Sequence, residues 1–382
     1  MRRLLILSTE FPPGPGGIGT HAYKLGEQLQ RLGWTVTVIT RQDYVSAEEA
    51  EQFNAQQTLT IIRLRPVALA PLDAVYRRQL AARMLRRQKP DLILATGERA
   101  VWVAASLPRH IPLVAIGHGT EFGLKSSWER ALTRWSFERA DLVVCVSQFT
   151  QNFMLAQHIQ PRHLATIPNG ADDAQFRRLP ESEIAAFRRQ GVFGAGPLLL
   201  SVGQVNERKG QHVVIRAMPK VLERFPDVHY LMAGLPTDRA KLSALARELG
   251  VGDHVHFLGK VDPTTLVKLL NLCDLFVMTS YHTRSGDFEG YGIAVIEAAL
   301  CGKPAVVTGD SGLAEAIVPG ETGLLVPQND PSQTADAILT LLSDTARRIQ
   351  MGAAAQSRAL AEQTWAKRAA IYQQQFESLL AP

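Results

Sequence analysis

The feature that most constrains this chain is an alternation. Short β-branched or apolar runs take turns with longer stretches of helical period, and the series runs through once and then starts again. In the first half the runs are Leu4–Ser8, Thr35–Thr40, Thr60–Leu64, Leu92–Thr96, Leu113–Gly117, Leu142–Ser147 and Ala165–Ile167. Helical patterns such as His21–Leu32 and Val75–Arg87 lie between them. Several runs are apolar throughout rather than alternating, as expected of strands covered on both faces by helices in a parallel sheet. Repeated βα units imply an open, doubly wound sheet.

The second half repeats the pattern with Leu198–Gly203, His229–Ala233, Val255–Leu258, Leu275–Ser280, Ala305–Thr308 and Gly323–Val326. The break falls near Ile167-Pro168-Asn169-Gly170-Ala171-Asp172, which leads into a polar segment ending at Gly194–Pro197. A length of 382 residues, at about 150 per domain, also favours two domains. The expected division is 1–175 and 176–363, two doubly wound sheets facing a central cleft. The last helix, Thr364–Leu380, has no strand after it.

Composition narrows the class. The chain is 46% hydrophobic and 20% charged, with mean hydropathy −0.03, as in a soluble globular protein. It contains no run of eighteen apolar residues of the kind a membrane-crossing helix needs. Its basic then apolar start, Met1-Arg2-Arg3-Leu4-Leu5-Ile6-Leu7-Ser8, is too short for a signal-peptide core and reads as the first strand. The cysteines, Cys145, Cys273 and Cys301, are far apart in apolar stretches, so reduced, buried thiols in a cytoplasmic protein are expected. The net charge of +5 is unevenly spread. Residues 1–180 carry 22 Lys and Arg against 15 Asp and Glu, whereas residues 181–382 carry 19 against 21. Such asymmetry suits nucleic acid, a membrane or an anionic substrate.

Four motifs carry chemistry. Gly14-Pro15-Gly16-Gly17-Ile18-Gly19-Thr20 follows the first strand and precedes a helix. Read literally, it fits the dinucleotide-binding turn. Pro12 and Pro13 delay it, however, and the second strand runs out through Ile39-Thr40-Arg41-Gln42-Asp43 without an acid at its tip. Either a phosphate-approaching loop or a plain tight turn remains. Arg208 and Lys209 follow the first strand of the second half, where an open sheet presents ligands and two cations can neutralise a diphosphate. A solvated surface pair is the plainer reading. In Asp287-Phe288-Glu289-Gly290-Tyr291-Gly292-Ile293, a loop glutamate precedes a helix that carries Glu297 about two turns in. Glu289 suits sugar hydroxyls, Glu297 suits a ribose diol, and the helix start suits phosphate. Two ordinary surface acids would look the same. His118 closes the strand Leu113–Gly117 and can bond a substrate hydroxyl or serve packing. His254 and His256 read as one strand face without a third metal ligand, and no Asp-x-Asp occurs.

Taken in this order, the motifs resemble the family-4 retaining glycosyltransferases of GT-B fold. The resemblance spans nearly the whole chain and includes Pro168-Asn169-Gly170-Ala171-Asp172 and Glu321-Thr322-Gly323-Leu324-Leu325-Val326-Pro327. It implies a hexosyltransferase with two Rossmann-like domains. The first would receive a glycan or lipid-linked acceptor. The second would bind a nucleotide sugar of the UDP-glucose or GDP-mannose type. Arg208 and Lys209 would hold the donor diphosphate, Glu297 the ribose, and Glu289 and His118 the transferred sugar. Gly290, Tyr291, Gly292 and Ile293 would face the donor. Gly16, Gly17 and Gly19 would approach phosphate and acceptor. Neither metal nor cofactor is expected, and residues 364–382 would return to the first domain. One departure stands out: Asp310-Ser311-Gly312-Leu313-Ala314-Glu315 replaces the Gly-Gly-x-Pro-Glu turn of many relatives.

Competing readings are a sugar-nucleotide epimerase on the same fold and a nicotinamide-dependent oxidoreductase using the first glycine loop. The second leaves Arg208, Lys209 and both glutamates unexplained. Nucleic acid is disfavoured because the basic half lacks interleaved aromatics. Its charge gathers instead at Arg77, Arg78, Arg83, Arg86, Arg87 and Lys89, on a helical pattern suited to anionic lipid. A cytoplasmic enzyme, free or peripheral on the inner face of the membrane, is the expectation.

Overall fold

A computed structural model describes residues 2–41, 45–64, 70–123, 126–191, 194–283 and 286–381, with 70–74 as backbone only. Gln42 and Asp43 lie outside the described residues. Two compact units emerge: Met1–Gly170 with Trp365–Pro382, and Ala171–Thr364.

In the first unit β1 (Arg3–Ser8), β2 (Thr35–Arg41), β3 (Thr60–Leu64), β4 (Leu92–Thr96), β5 (Leu113–Gly117), β6 (Leu142–Cys145) and β7 (Leu164–Thr166) form one parallel sheet. Their spatial order is β3-β2-β1-β4-β5-β6-β7. The connecting helices are α1 (Gly17–Arg31), α2 (Ala47–Ala55), α3 (Ala70–Gln88), α4 (Glu98–Ala105), α5 (Ser127–Arg139) and α6 (Gln148–Ala156). The central strands are buried along their length, β4 and β5 at every residue, which is why they read as unbroken apolar runs.

The second unit opens with α7 (Glu181–Gln190) and builds a parallel sheet from β8 (Leu198–Val202), β9 (His229–Ala233), β10 (Val255–Gly259), β11 (Leu275–Met278), β12 (Ala305–Thr308) and β13 (Gly323–Val326). The order, β10-β9-β8-β11-β12-β13, repeats that of the first sheet. Its helices are α8 (Gln211–Leu222), α9 (Arg239–Glu248), α10 (Pro263–Leu272), α11 (Ile293–Leu300), α12 (Leu313–Ala316), α13 (Pro331–Ser343) and α14 (Thr345–Glu362). Each unit therefore has the single doubly wound, Rossmann-like parallel sheet expected. In each, strand order reverses beside the first strand, and that crevice at the carboxyl ends is where doubly wound sheets bind ligands.

The final helix, α15 (Trp365–Leu379), belongs to the first unit and packs on α1, burying Trp365, Tyr372 and Phe376. Residues 171–175, placed with the first domain on sequence grounds, sit with the second unit instead. Ala171 forms a bridge with Thr364, and its amide donates to Gln363 O at 2.9 Å.

All three cysteines are free and buried, and burial pushes their thiols up, Cys273 and Cys301 to about 12. His254 departs from expectation. It lies in a 3-10 turn, Gly252–His254, ahead of β10, where its Nδ1 bonds Val228 O and its ring stacks on His229.

Candidate functional site

The second sheet reverses between β8 and β11, and the loops leaving those two strands carry the charged candidates. After β8 a short 3-10 turn, Glu207–Lys209, is capped by Asn206, whose Oδ1 accepts from the Lys209 amide at 3.2 Å. The two loops are stitched together by Tyr281 N donating to Arg208 O (3.0 Å) and Thr279 Oγ1 to Gly210 O (2.7 Å). This brings Arg208 and Lys209 onto one acceptor: Arg208 Nη1 and Lys209 Nζ each donate to Glu289 Oε2 at 2.6 Å. The Lys209 and Glu289 side chains are only 14% and 13% exposed.

Burial works to raise the Glu289 carboxyl. The charges and hydrogen bonds of Lys209 and Arg208 override it and hold the group at about 2, so it stays a carboxylate. Burial pulls the Lys209 ammonium down, and Glu289 opposes that shift. With Lys209 also charged, the cluster of two cations and one anion keeps a surplus positive charge in a sheltered crevice, a setting suited to an incoming anion.

Beyond Glu289, α11 starts at Ile293 behind Gly292 in the left-handed region. Glu297 is therefore one turn into the helix rather than two. Burial, reinforced by Asp172, raises its carboxyl to about 7. Tyr291 is 2% exposed, and its hydroxyl accepts from Gln363 Nε2, so this side chain anchors the loop. The departing turn packs here as well. Gly312 N donates to Glu289 O at 3.1 Å, while Asp310 adopts a left-handed φ of 49°, which aspartate tolerates better than most residues.

In the first unit, Gly16 and Gly19 have a structural explanation. Gly16 has a φ of 142°, which side chains rarely adopt, and a Cβ on Gly19 would lie 2.9 Å from Phe11 N. Only glycine lets the first turn of α1 press against Glu10–Phe11. Gly17 faces open space, with nothing within 4 Å of its Cβ position.

His118 follows β5, with its Nε2 2.7 Å from Thr96 Oγ1 at the end of β4. Burial lowers its imidazole to about 3, so the ring is neutral. Its loop is shaped by Glu121, 1% exposed, whose carboxyl accepts from the His118 amide at 3.1 Å and the Gly119 amide at 2.8 Å. Burial nevertheless raises the Glu121 carboxyl to about 7. Sequence reasoning gave Glu121 no role and overlooked His21, Thr96 and Tyr372. His21, 0% exposed, lies on the buried stripe of α1 with Ala22, Leu25 and Leu29, and a histidine in that phase was the available signal.

The structure thus gathers Arg208, Lys209, Glu289 and Glu297 in one unit, and Gly16, Gly17, Gly19 and His118 in the other. Among the described residues, no group of three or more His, Cys, Asp or Glu is placed to hold a metal ion. No described helix is long and apolar enough to cross a membrane. Of the basic residues on and just after α3, Arg78, Arg83, Arg86, Arg87 and Lys89 are exposed, but Arg77 is only 8% exposed and drops out of the basic surface.

The chain resembles known proteins along most of its length. A family model described as Glycosyltransferase Family 4 matches residues 15–175, and one described as Glycosyl transferases group 1 matches residues 183–358. A GDP-mannose-dependent alpha-(1-6)-phosphatidylinositol monomannoside mannosyltransferase from Mycolicibacterium smegmatis is 29% identical over 384 residues, 96% of each chain. The glycogen synthase of Mycobacterium tuberculosis is 27% identical over 396 residues, 95% of this chain and 91% of its own. Among solved structures, Anabaena HepE in complex with UDP and glucose superposes with a TM-score of 0.83 at 22% identity, over 99% of this chain and 100% of its own. Sucrose-phosphate synthase from Thermosynechococcus elongatus gives 0.84 at 22% identity, over 99% of each chain. With two family models covering nearly all of the chain and the doubly wound pair of sheets they require, the protein belongs to the family-4 glycosyltransferases of GT-B fold.

Proposed function

We propose that the protein moves a hexose from a nucleotide sugar to a glycan or lipid-linked acceptor, with retention at the anomeric carbon and without a metal. GDP-mannose is the preferred donor and UDP-glucose the second choice. The preference is supported by the relatives named GDP-mannose-dependent, which match from end to end. The observation that carries the reading is the convergence of Arg208 and Lys209 on Glu289 across the switch point of the second sheet.

The chemical problem is a leaving diphosphate whose charge grows as the sugar ring becomes cationic. Arg208 offers a fork and Lys209 a point charge to that diphosphate, and the α11 start at Gly290–Ile293 adds helix-terminal amides. Once the phosphates arrive, Glu289 is free to take sugar hydroxyls, with His118 as a neutral hydrogen-bonding partner. Glu297 is assigned to the ribose, and Gly17 is the glycine of its loop with room for a ligand. The acceptor oxygen attacks from the face the diphosphate leaves. The bond from the anomeric carbon to phosphate oxygen breaks as the bond to the acceptor forms, and the acceptor proton passes to the departing phosphate. No separate base is required.

Arg208→Ala and Lys209→Ala are each expected to raise the barrier by about 3 kcal/mol, roughly a hundredfold loss of kcat. Transfer from GDP-mannose and UDP-glucose, with the product anomer read by proton NMR and EDTA added in one arm, tests the whole reading. An inverted product, EDTA-sensitive turnover, or near wild-type rates in either variant would count against it. Turnover without an acceptor would favour an epimerase.

The exposed part of α3 supports a peripheral contact with anionic lipid. Trp128 and Trp135 on α5, 62% and 42% exposed, are residue types that settle at a membrane interface.

A further inference from the structure

We infer that His21 is a positioning residue for His118, with Tyr372 of the returning helix holding its ring in place. The inference rests on the reading that His118 contacts the transferred sugar.

His21 stands two residues beyond Gly19 on α1 and is wholly buried. Its Nε2 lies 3.1 Å from the Tyr372 hydroxyl, a hydrogen bond between residues 351 positions apart in sequence. Its Nδ1 is buried and has no hydrogen-bond partner among the described residues. Burying such a nitrogen costs free energy that an apolar ring in the same space would not incur. Packing alone therefore does not account for a histidine here.

What the imidazole does is meet His118. The two rings lie 5.1 Å apart at 84°, edge to face. Trp365 and Tyr372 close around His21 at 5.6 and 5.9 Å, so α15 fixes its position. His118 is thereby held twice, by Thr96 Oγ1 at its own Nε2 and by the His21 ring beside it. Burial lowers both imidazoles, and charge on His118 would further disfavour charge on His21. The pair stays neutral, which leaves His118 oriented as a hydrogen-bonding group rather than an ion-pair partner. A helix from the far end of the chain thus reaches the sugar contact through one tyrosine hydroxyl and one intervening ring.

Four single variants, His118→Ala among them, and one double variant test this in the full-length enzyme. Tyr372→Phe removes a single oxygen, His21→Phe removes both nitrogens, and His21→Gln keeps an amide close to where Nε2 stood. Expected is an approximately tenfold fall in kcat for Tyr372→Phe and His21→Phe, with donor KM within about twofold of wild type, because small misplacements at a reacting group are costly. His21→Gln should recover most of the rate. Added to His118→Ala, His21→Phe should cost little more, since the two act as one unit. Wild-type kcat in folded Tyr372→Phe and His21→Phe, or a full further loss on top of His118→Ala, overturns the inference while leaving the role of His118 intact. A wild-type rate for His118→Ala alone overturns that role and the inference with it.

Discussion

Glu121 and Glu289 are buried carboxyls with opposite electrostatic fates, and their surroundings explain both. Glu289 meets two cations and is held at about 2, whereas burial, with the like charge of Glu98 added, outweighs the amides around Glu121 and raises it to about 7. The consequences for stability have opposite signs. The fold favours protonated Glu121, so its contribution is fully present below its ordinary value of 4.5 and is lost as pH rises through 7. Over that interval the loss is about 3 kcal/mol. The contribution of Glu289 is present above 4.5 and fades as pH falls towards 2. Between pH 5 and 8.5, Glu121→Gln should therefore lose less thermal stability than wild type, since the share of Glu297 and the opposing gains from the lowered imidazoles of His21 and His118 are common to both proteins. Parallel melting curves for wild type and variant across that range would refute the assignment. The contrast between the two glutamates was only partly visible in the sequence. Glu289 stood out by its place ahead of a glycine-rich helix start. Glu121 looked like any loop acid, because what distinguishes it is its burial to 1% exposure in the folded unit, which the sequence around it does not mark.

At the scale of elements, the strands were the most legible. Leu92–Thr96 and Leu113–Gly117 appear at their expected limits, because a strand buried on both faces leaves no polar residue to blur the run. Helix starts were less so. Glu297 moved from two turns to one because α11 waits for Gly292, and His254 fell into a turn before β10 because nothing local distinguishes the two states. On α3 the pattern itself was sound, but which arginines it exposes was not readable. Ala81 and Leu85 are buried in the core of the first unit, with Leu80 and Met84 packed against it, so the apolar stripe is already used and Arg77 is buried too. What remains outward from Arg78 onwards is mainly charge, with Val75 and Tyr76 exposed nearer the helix start. Binding to anionic vesicles through α3 should accordingly be electrostatic, worth about 1 kcal/mol per basic residue, and screened by salt. Sedimentation with phosphatidylserine vesicles should fall steeply between 0.05 and 0.5 M salt. It should disappear in the combined variant Arg83→Glu, Arg86→Glu and Arg87→Glu. Failure of the wild type to bind at low salt would end the proposal, and salt-independent binding would shift attention to Trp128 and Trp135.

At the scale of the whole molecule, the chain builds the first unit, leaves it after Gly170, completes the second and returns at Trp365. The repeated strand order was legible because each unit restarts the same βα series. The return was not, since a strandless final helix can pack in many places, and only the family resemblance pointed it back to the start. Its physical anchor is a row of buried aromatics, Trp365, Tyr372 and Phe376, the last edge-on to Trp34 at 5.7 Å. Burying three such side chains contributes about 2 kcal/mol each, about 6 kcal/mol together, which is of the order of a whole domain's net stability. Ending the chain at Thr364 should therefore unfold the first unit while sparing the second, which forms a compact unit over Ala171–Thr364. Hydrogen exchange should show protection lost across β1, β4 and β5 but kept across β8, β9 and β11. Because the proposed diphosphate contacts, Arg208 and Lys209, lie in the second unit, the truncated chain should still gain thermal stability from GDP or UDP while losing all transfer activity. Undiminished protection of β1 would show that α15 is dispensable to the first unit. Loss of nucleotide binding together with intact protection of β8 would place the donor contacts elsewhere.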